Sequence, residues 1–316
     1  MSTLRATVKR FTDLRHFSDR EDLLGPIFLL PAVAYILLLV GIPTILALAF
    51  SLTDVTVGDT SLNFVGLRNF RNVVRAPQFQ RALINSVAIT VVSQIVVGIL
   101  ATILAVLLAE DFRGKWFARF LIILPWATPI SLATIGWLWL LDSTLSPLDW
   151  VFKTMGLLGT PGALFGVRQH MNFLGREWLA MGSVTAVHIW RVTPLATIIV
   201  VAGLTAIPDD LIDQARVDGA TFWKILFDIK LPLIFPITTI ALLFGTIFTF
   251  TDMTIVYILT RGGPVYYTQV LPVWAFFKGI EGGSLAEGAA IALFMFPVLL
   301  AGAIAMLRMA SRAEVA

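Results

Sequence analysis

Long runs without charge alternate with short charged segments along this chain. No charged residue occurs between Asp22 and Asp54, between Arg81 and Glu110, or between Arg119 and Asp142. In the second half, residues 178–208 are interrupted only by Arg191, and clean stretches lie between Lys230 and Asp252 and between Glu287 and Arg308. A helix needs about 20 predominantly apolar residues to cross the hydrocarbon of a bilayer. The pattern therefore predicts six spans, at about 24–52, 82–109, 118–141, 178–204, 232–256 and 287–308. The runs are long and apolar on every face rather than short and alternating, so their backbone hydrogen bonds close within helices and not around a barrel. The predicted fold class is all-α, a polytopic membrane protein with tails at residues 1–23 and 309–316. The first run is too long for a signal-peptide core and lacks a small-residue cleavage pattern. Leu24 to Leu52 is read as a retained helix that Pro26, Pro31 and Pro43 bend.

Composition agrees: 58% of residues are hydrophobic and 14% charged, with a mean hydropathy of +0.87, outside the range of water-soluble domains. An even number of spans puts both termini on one side. If that side is the cytoplasm, thirteen Lys and Arg lie inside and nine outside, the sense of the positive-inside rule. The net charge of +3 is small and dispersed, which argues against a nucleic-acid partner.

Motifs for self-contained chemistry are absent from the sequence. Without cysteine there is no disulfide framework, thiolate metal site or thiol nucleophile. His16, His170 and His188 fall in a tail, a loop and a span, so no pair shares a helix turn as a zinc site requires. Gly114-Lys115-Trp116 lacks the upstream glycine and the hydroxyl of a phosphate-binding loop, and no Gly-x-Ser-x-Gly elbow occurs. Metal, cofactor and catalytic residues are accordingly expected to be none.

The segment from Pro208 to Pro232 is different. Leu211, Ile212, Ala215 and Val217 alternate with Asp210, Asp213, Gln214 and Arg216, giving a short amphipathic helix that Gly219 can end. A second begins at Thr221, a plausible N-cap, and carries Trp223, Ile225, Leu226, Phe227 and Ile229 before Pro232 opens the next span. Two readings follow: a knob inserted into a partner's groove, or an interfacial loop resting its apolar face on lipid.

The same segment resembles the signature of permeases of binding-protein-dependent ABC importers. There Glu-Ala-Ala is followed after three residues by Gly, after nine more by Ile, and one residue later by Leu-Pro. This chain has Asp213-Gln214-Ala215, Gly219, Ile229 and Leu231-Pro232, with Asp for the Glu and Gln for the first Ala. The likeness runs from about residue 24 to 297 and points to the carbohydrate-importing branch. It includes Phe64-Val65-Gly66-Leu67-Arg68-Asn69-Phe70, Leu124-Pro125-Trp126, and Trp190-Arg191-Val192-Thr193-Pro194 with Ala202-Gly203-Leu204 and Ile207-Pro208. Tyr257-Ile258-Leu259-Thr260-Arg261-Gly262-Gly263-Pro264, with Thr268, is similar to the maltose-transporter type, the first of two unlike permease subunits. Where the family usually shows a Gly and an Asn, this chain reads Ser146-Pro147-Leu148-Asp149.

The resemblance implies that residues 209–231 form a cytoplasmic coupling loop held by an ATPase. Its contact residues would be Asp213, Gln214, Ala215, Arg216, Asp218, Gly219, Ala220, Ile229, Leu231 and Pro232. It implies a second permease subunit, two ATPase subunits that bind ATP and Mg, and an extracytoplasmic solute-binding protein. The cargo would be a sugar or oligosaccharide, the chain itself would be no enzyme, and both termini would be cytoplasmic in a cell membrane.

Residues that could line a substrate path are few. Arg191, near mid-bilayer, and His188 either donate hydrogen bonds to a hydrophilic solute or bond another helix through a carbonyl or carboxylate. Trp137, Trp139 and Trp190 either stack on a sugar's apolar face or pack and anchor helix ends. Asn85, Gln94, Thr251 and Asp252 offer further hydrogen bonds, though polar side chains also join helices in lipid; Tyr257 completes the set. A polyol or glycerol phosphate is the alternative cargo within the family. From other classes, an ion-gradient carrier calls for midplane carboxylates or paired broken helices, and the charge-free runs hold no carboxylate and show no repeat. A membrane enzyme on lipid-linked sugar calls for acids and histidines clustered near one face, which the sequence lacks.

Overall fold

The structure, a computed structural model, describes residues 21–314 except Thr60 and Ser143, with side chains from 25 to 312. Most of the N-terminal tail expected over 1–23, and the last two residues, lie outside the described residues. Five helices among them are long and apolar enough to cross a membrane, and a sixth span results if one bent pair counts as a single crossing.

The first span is α1 (Glu21–Ile36), a wide π-helical turn (Leu37–Gly41) and α2 (Ile42–Ser51). Pro26 and Pro31 lie inside α1 and Pro43 at the start of α2. A short connector with α3 (Arg68–Arg75) leads to α4 (Pro77–Ala109), the longest helix. Next come α5 (Lys115–Ala127) and α6 (Ile130–Leu140), then α7 (Pro147–Thr154) and α8 (Glu177–Thr205). After α9 (Asp209–Val217) and α10 (Phe222–Lys224), a π-helical turn (Ile225–Lys230) runs without interruption into α11 (Leu231–Thr251). The chain ends with α12 (Thr254–Leu259), α13 (Leu271–Phe276), a π-helical turn (Phe277–Glu281) and α14 (Leu285–Glu314). No strand occurs among the described residues, only isolated bridges such as Thr53 with Phe64.

Two of the expected spans are broken, each by a different residue. The segment expected to cross at 118–141 is not one straight helix: α5 and α6 meet at 97°. Pro129 has no N–H for the helical ladder and forces Thr128 into an extended conformation, φ −77° and ψ 135°. The span expected at 232–256 instead breaks at Asp252, φ −72° and ψ 126°, where the carboxylate accepts the N–H of Ile255 at 3.0 Å and starts α12. The two segments beyond the breaks, α6 and α12, pack on each other.

Helices α4, α8 and α11 form the centre, sealed by small residues where backbones approach. Ala105, Val200, Leu204 and Ile234 pack at the end nearest α9, and Val97, Ala101, Val192, Ala196 and Ala241 pack midway. At the far end Ile89, Val184, Val187, Ile255 and Val256 join residues of the α7–α8 connector. Phe79, Phe250, Leu271, Trp274 and Ile291 tie α13 and α14 to this frame. Large apolar side chains cover the outside, and no residue of the most apolar stretch of the first span is buried. Such surface is at home against lipid or another membrane subunit, not water.

The Ser146–Asp149 block has a local explanation. Ser146 caps α7 by accepting the Asp149 N–H at 3.3 Å, and Pro147 occupies the first helical turn. The buried Asp149 carboxylate then accepts the Met171 N–H at 3.2 Å and faces His170 Nδ1 at 3.4 Å, fastening the long connector.

Candidate functional site

The corner between α9 and α10 is built from the backbone. Gly219 has φ +80°, a conformation in which a Cβ is strained. Its N–H donates to Arg216 O at 3.0 Å, and that of Ala220 donates to Ala215 O at 2.9 Å. Together these bonds form a Schellman closure that satisfies the last carbonyls of α9. Thr221 then caps α10 by accepting the Lys224 N–H at 3.5 Å. The second short helix is no separate element but the first turns of the fifth span, continuous through the π-helical turn with α11.

The corner has two faces. Ile212, Ile225 and Leu226 are buried and line a small pocket that Val106 and Glu110, at the end of α4, also border. On the opposite side Asp210, Asp213, Gln214, Val217 and Asp218 line a shallow depression of about 450 Å³. Val217 is 87% exposed there, an apolar side chain offered among carboxylates. Asp213 pairs with Arg216 at 3.2 Å on the surface. Ala215, Ile229 and Leu231 are half-buried, whereas Pro232 is exposed.

A second polar group lies midway along the bundle. Arg191 is at the midpoint of α8, and its Nη1 donates to Asp252 Oδ2 across to the break after α11. The side chains are 22% and 7% exposed, so the pair is shielded while part of the guanidinium remains accessible. A guanidinium carries five N–H donors, which leaves donors for another acceptor. His188 is buried with Nδ1 unpartnered and lies within electrostatic reach of both charges. Trp190 and Trp137 meet edge to face, 5.5 Å between centroids. Gln94 donates to Thr249 Oγ1 at 3.1 Å, joining α4 to α11, while its Oε1 has no partner.

The remaining candidates are engaged elsewhere. Asn85 donates to the carbonyls of Tyr267 and Gln269 at 2.8 and 2.9 Å, a bond that holds the 260–270 loop. Thr251 donates back to Ile247 O at 2.7 Å. Trp139 is 64% exposed. Tyr257 donates to Glu281 at 3.0 Å and lies under Arg261, 4.9 Å from its ring centroid. Sequence reasoning missed Thr249, Glu281 and Gly245, whose lack of a Cβ makes room for Gln94 and Val192. Only the glycine within an apolar run hinted at close helix approach.

A helical bundle of membrane-crossing length, a shielded polar layer at mid-depth and a two-helix corner continuous with one span define a polytopic membrane permease. A family model described as "Binding-protein-dependent transport system inner membrane component" matches residues 94–312, and the chain belongs to that family. It is 29% identical over 289 residues, 92% of this chain and 94% of the relative, to the trehalose/maltose transport system permease protein MalF of Thermococcus litoralis. It is 30% identical over 250 residues, 76% and 78% of the two chains, to the sn-glycerol-3-phosphate transport system permease protein UgpA of Agrobacterium fabrum. A bacterial ABC transporter involved in the import of the acidic polysaccharide alginate shares the fold, with a TM-score of 0.76 at 21% identity over 94% of this chain and 99% of that one. The chain is thus the membrane-embedded transport component of an ABC importer, a family that works with an ATPase and a solute-binding protein.

Proposed function

We propose that this chain is one of two unlike transmembrane subunits of an ATP-driven importer for a sugar or oligosaccharide, with both termini and the α9–α10 corner in the cytoplasm. The observation that carries the reading is the continuity of the corner with α11. An ATPase gripping Val217 and the carboxylates around it would move α11 as a lever, with Asp252 near its far end. ATP and Mg belong to that ATPase, and this chain binds no cofactor and catalyses no reaction. ATP-driven closure of two ATPases would rock the span against those of the sister subunit and switch a central path from inward to outward access. Arg191 would then offer its remaining donors to hydroxyls, with Trp137 and Trp190 beside it. Support for a sugar comes from the relative named for trehalose and maltose. The relative named for glycerol phosphate favours a polyol or its phosphate as the second reading.

The carboxylate that an ion-gradient carrier would need does exist at mid-depth, as Asp252, but it is already paired with Arg191. Uptake into sealed vesicles separates the two classes: the ATP-driven reading requires dependence on nucleotide hydrolysis and persistence when the ion gradient is collapsed. Orientation is checked in the same cells. Because the chain has no cysteine, Asp213→Cys and Leu164→Cys can be probed with an impermeant maleimide. Only Leu164→Cys is expected to react from outside; the reverse result removes the coupling role.

A further inference from the structure

An apolar groove of about 760 Å³ runs between α4 and the continuous α10–α11 lever. Ile99, Ile103 and Leu107 form one wall and Trp223, Phe227 and Leu242 part of the other. Gln94 marks one end and Leu107 is near the other, an interval of about 20 Å at the helical rise of about 1.5 Å per residue. That length exceeds one leaflet of bilayer hydrocarbon, about 15 Å as half of a core about 30 Å thick, so the groove is long enough to hold an acyl chain along α4. At the corner end the groove adjoins a second pocket of about 160 Å³, and the two share Val106, Phe222 and Leu226. This smaller pocket is mixed in character: Arg216, Lys230 and Glu110 line it beside apolar residues such as Ile212 and Ile225. Neither Lys230 nor Glu110 has an ion-pair partner among the described residues, and Arg216 is engaged only by the exposed Asp213.

The geometry points to a phospholipid site in which an acyl chain fills the α4–α11 groove and a zwitterionic amino headgroup occupies the charged pocket beside the corner. The charge pattern selects the occupant. Two cations suit a phosphate, and one carboxylate beside them suits a primary ammonium, which has N–H donors that a quaternary choline lacks. Phe222 lines both pockets, and its neighbour Trp223, on the groove side, is of a residue type favoured where hydrocarbon meets headgroups. Such a lipid would brace the lever against α4 at the place where the corner moves, and it would be held by this chain whichever solute the permease carries.

The test uses the full chain, with the subunits that copurify, in vesicles holding a trace of phosphatidylethanolamine or phosphatidylcholine with a photoactivatable acyl chain. After illumination, labelled residues are mapped by mass spectrometry. Labelling of Ile99, Ile103 or Trp223 several-fold stronger by the ethanolamine lipid is expected, and Lys230→Ala and Glu110→Gln should each reduce that preference to near parity. Ile103→Trp, which fills the groove from a lipid-exposed position, should remove labelling while leaving the protein folded and inserted. Equal labelling by both lipids, unchanged by Lys230→Ala, would mean bulk solvating lipid and would overturn the site. So would absent labelling together with efficient disulfide capture of Ile103→Cys by a cysteine on another subunit's helix.

Discussion

Arg191 and Asp252, sixty-one positions apart in the chain, form a partly buried ion pair that joins the middle of α8 to the break after α11. The other oxygen of the same carboxylate accepts the Ile255 N–H. One side chain therefore both ends α11 and ties it to α8, which is why the helix breaks here without losing position.

Removing one member of this pair leaves a charge without its counterpart inside the bundle, a change that costs about 3–5 kcal/mol in buried settings. Arg191 keeps some exposure, so the lower end, about 3 kcal/mol, is expected for Asp252→Ala. The double change Arg191→Met with Asp252→Leu should be far less destabilising than either single change. Thermal unfolding of the purified protein in detergent measures all three. Additive losses in the double variant would mean that the two residues act separately.

Close helix approach at Gly245 is equally testable. A Cβ there would sit 2.2 Å from Gln94 Oε1 and 3.1 Å from Val192 Cγ1, an overpacking that typically costs about 1–3 kcal/mol. Gly245→Ala should lower the unfolding temperature, and adding Gln94→Ala should restore much of it by clearing the contact. Gly136→Ala is the control, because nothing lies within 4 Å of its built Cβ.

Reading the bilayer from the sequence worked where one strong term decides the outcome. Charge placement alone marked the long helices, since desolvating a charge outweighs any local preference. It did not mark the breaks in the third and fifth spans, because breaking a helix there is decided by single hydrogen bonds: Pro129 withholds one, and Asp252 supplies a substitute to Ile255. The corner was legible down to Thr221 because the glycine acts through its own backbone and the threonine through a hydroxyl that reaches an N–H only three residues on. Partners were not legible. Arg191 has candidates throughout the chain, and only the packing of α8 on α11 selects Asp252; Tyr257 likewise meets Glu281 through a fold no local pattern encodes.

Arg261 offers a contrast with the buried pair. It donates to both carboxylate oxygens of Glu281 at 2.9 and 3.0 Å and covers the rings of Tyr257 and Phe277. The side chains are 59% and 38% exposed, so the ion pair alone is worth at most about 1 kcal/mol. Glu281→Gln should therefore cost little, and that little should shrink in high salt. Arg261→Lys should cost more than Glu281→Gln, because it loses the planar stacking on Tyr257 and Phe277 together with the Nη1 bond to the Tyr257 hydroxyl. Unfolding temperatures at low and high salt decide the order, and a salt-sensitive loss above that bound in Glu281→Gln would contradict it.

Gly219 allows backbone and side-chain roles at the corner to be separated. Nothing lies within 4 Å of a Cβ built there, so the position has space, and its constraint is the φ of +80° alone. An L-residue in that conformation costs about 1 kcal/mol for Ala, and a β-branched residue costs more. Asparagine tolerates the left-handed region. The expected order of retained ATPase copurification and solute uptake is therefore Gly219, then Asn, then Ala, with Gly219→Val lowest, although Asn is larger than Ala. All four should insert equally, because the strain is confined to the turn and the Schellman bonds lie outside the spans. If size rather than φ set the order, with Ala above Asn, the corner would be reading side-chain bulk in a partner's groove, and the backbone explanation given for this glycine would fail.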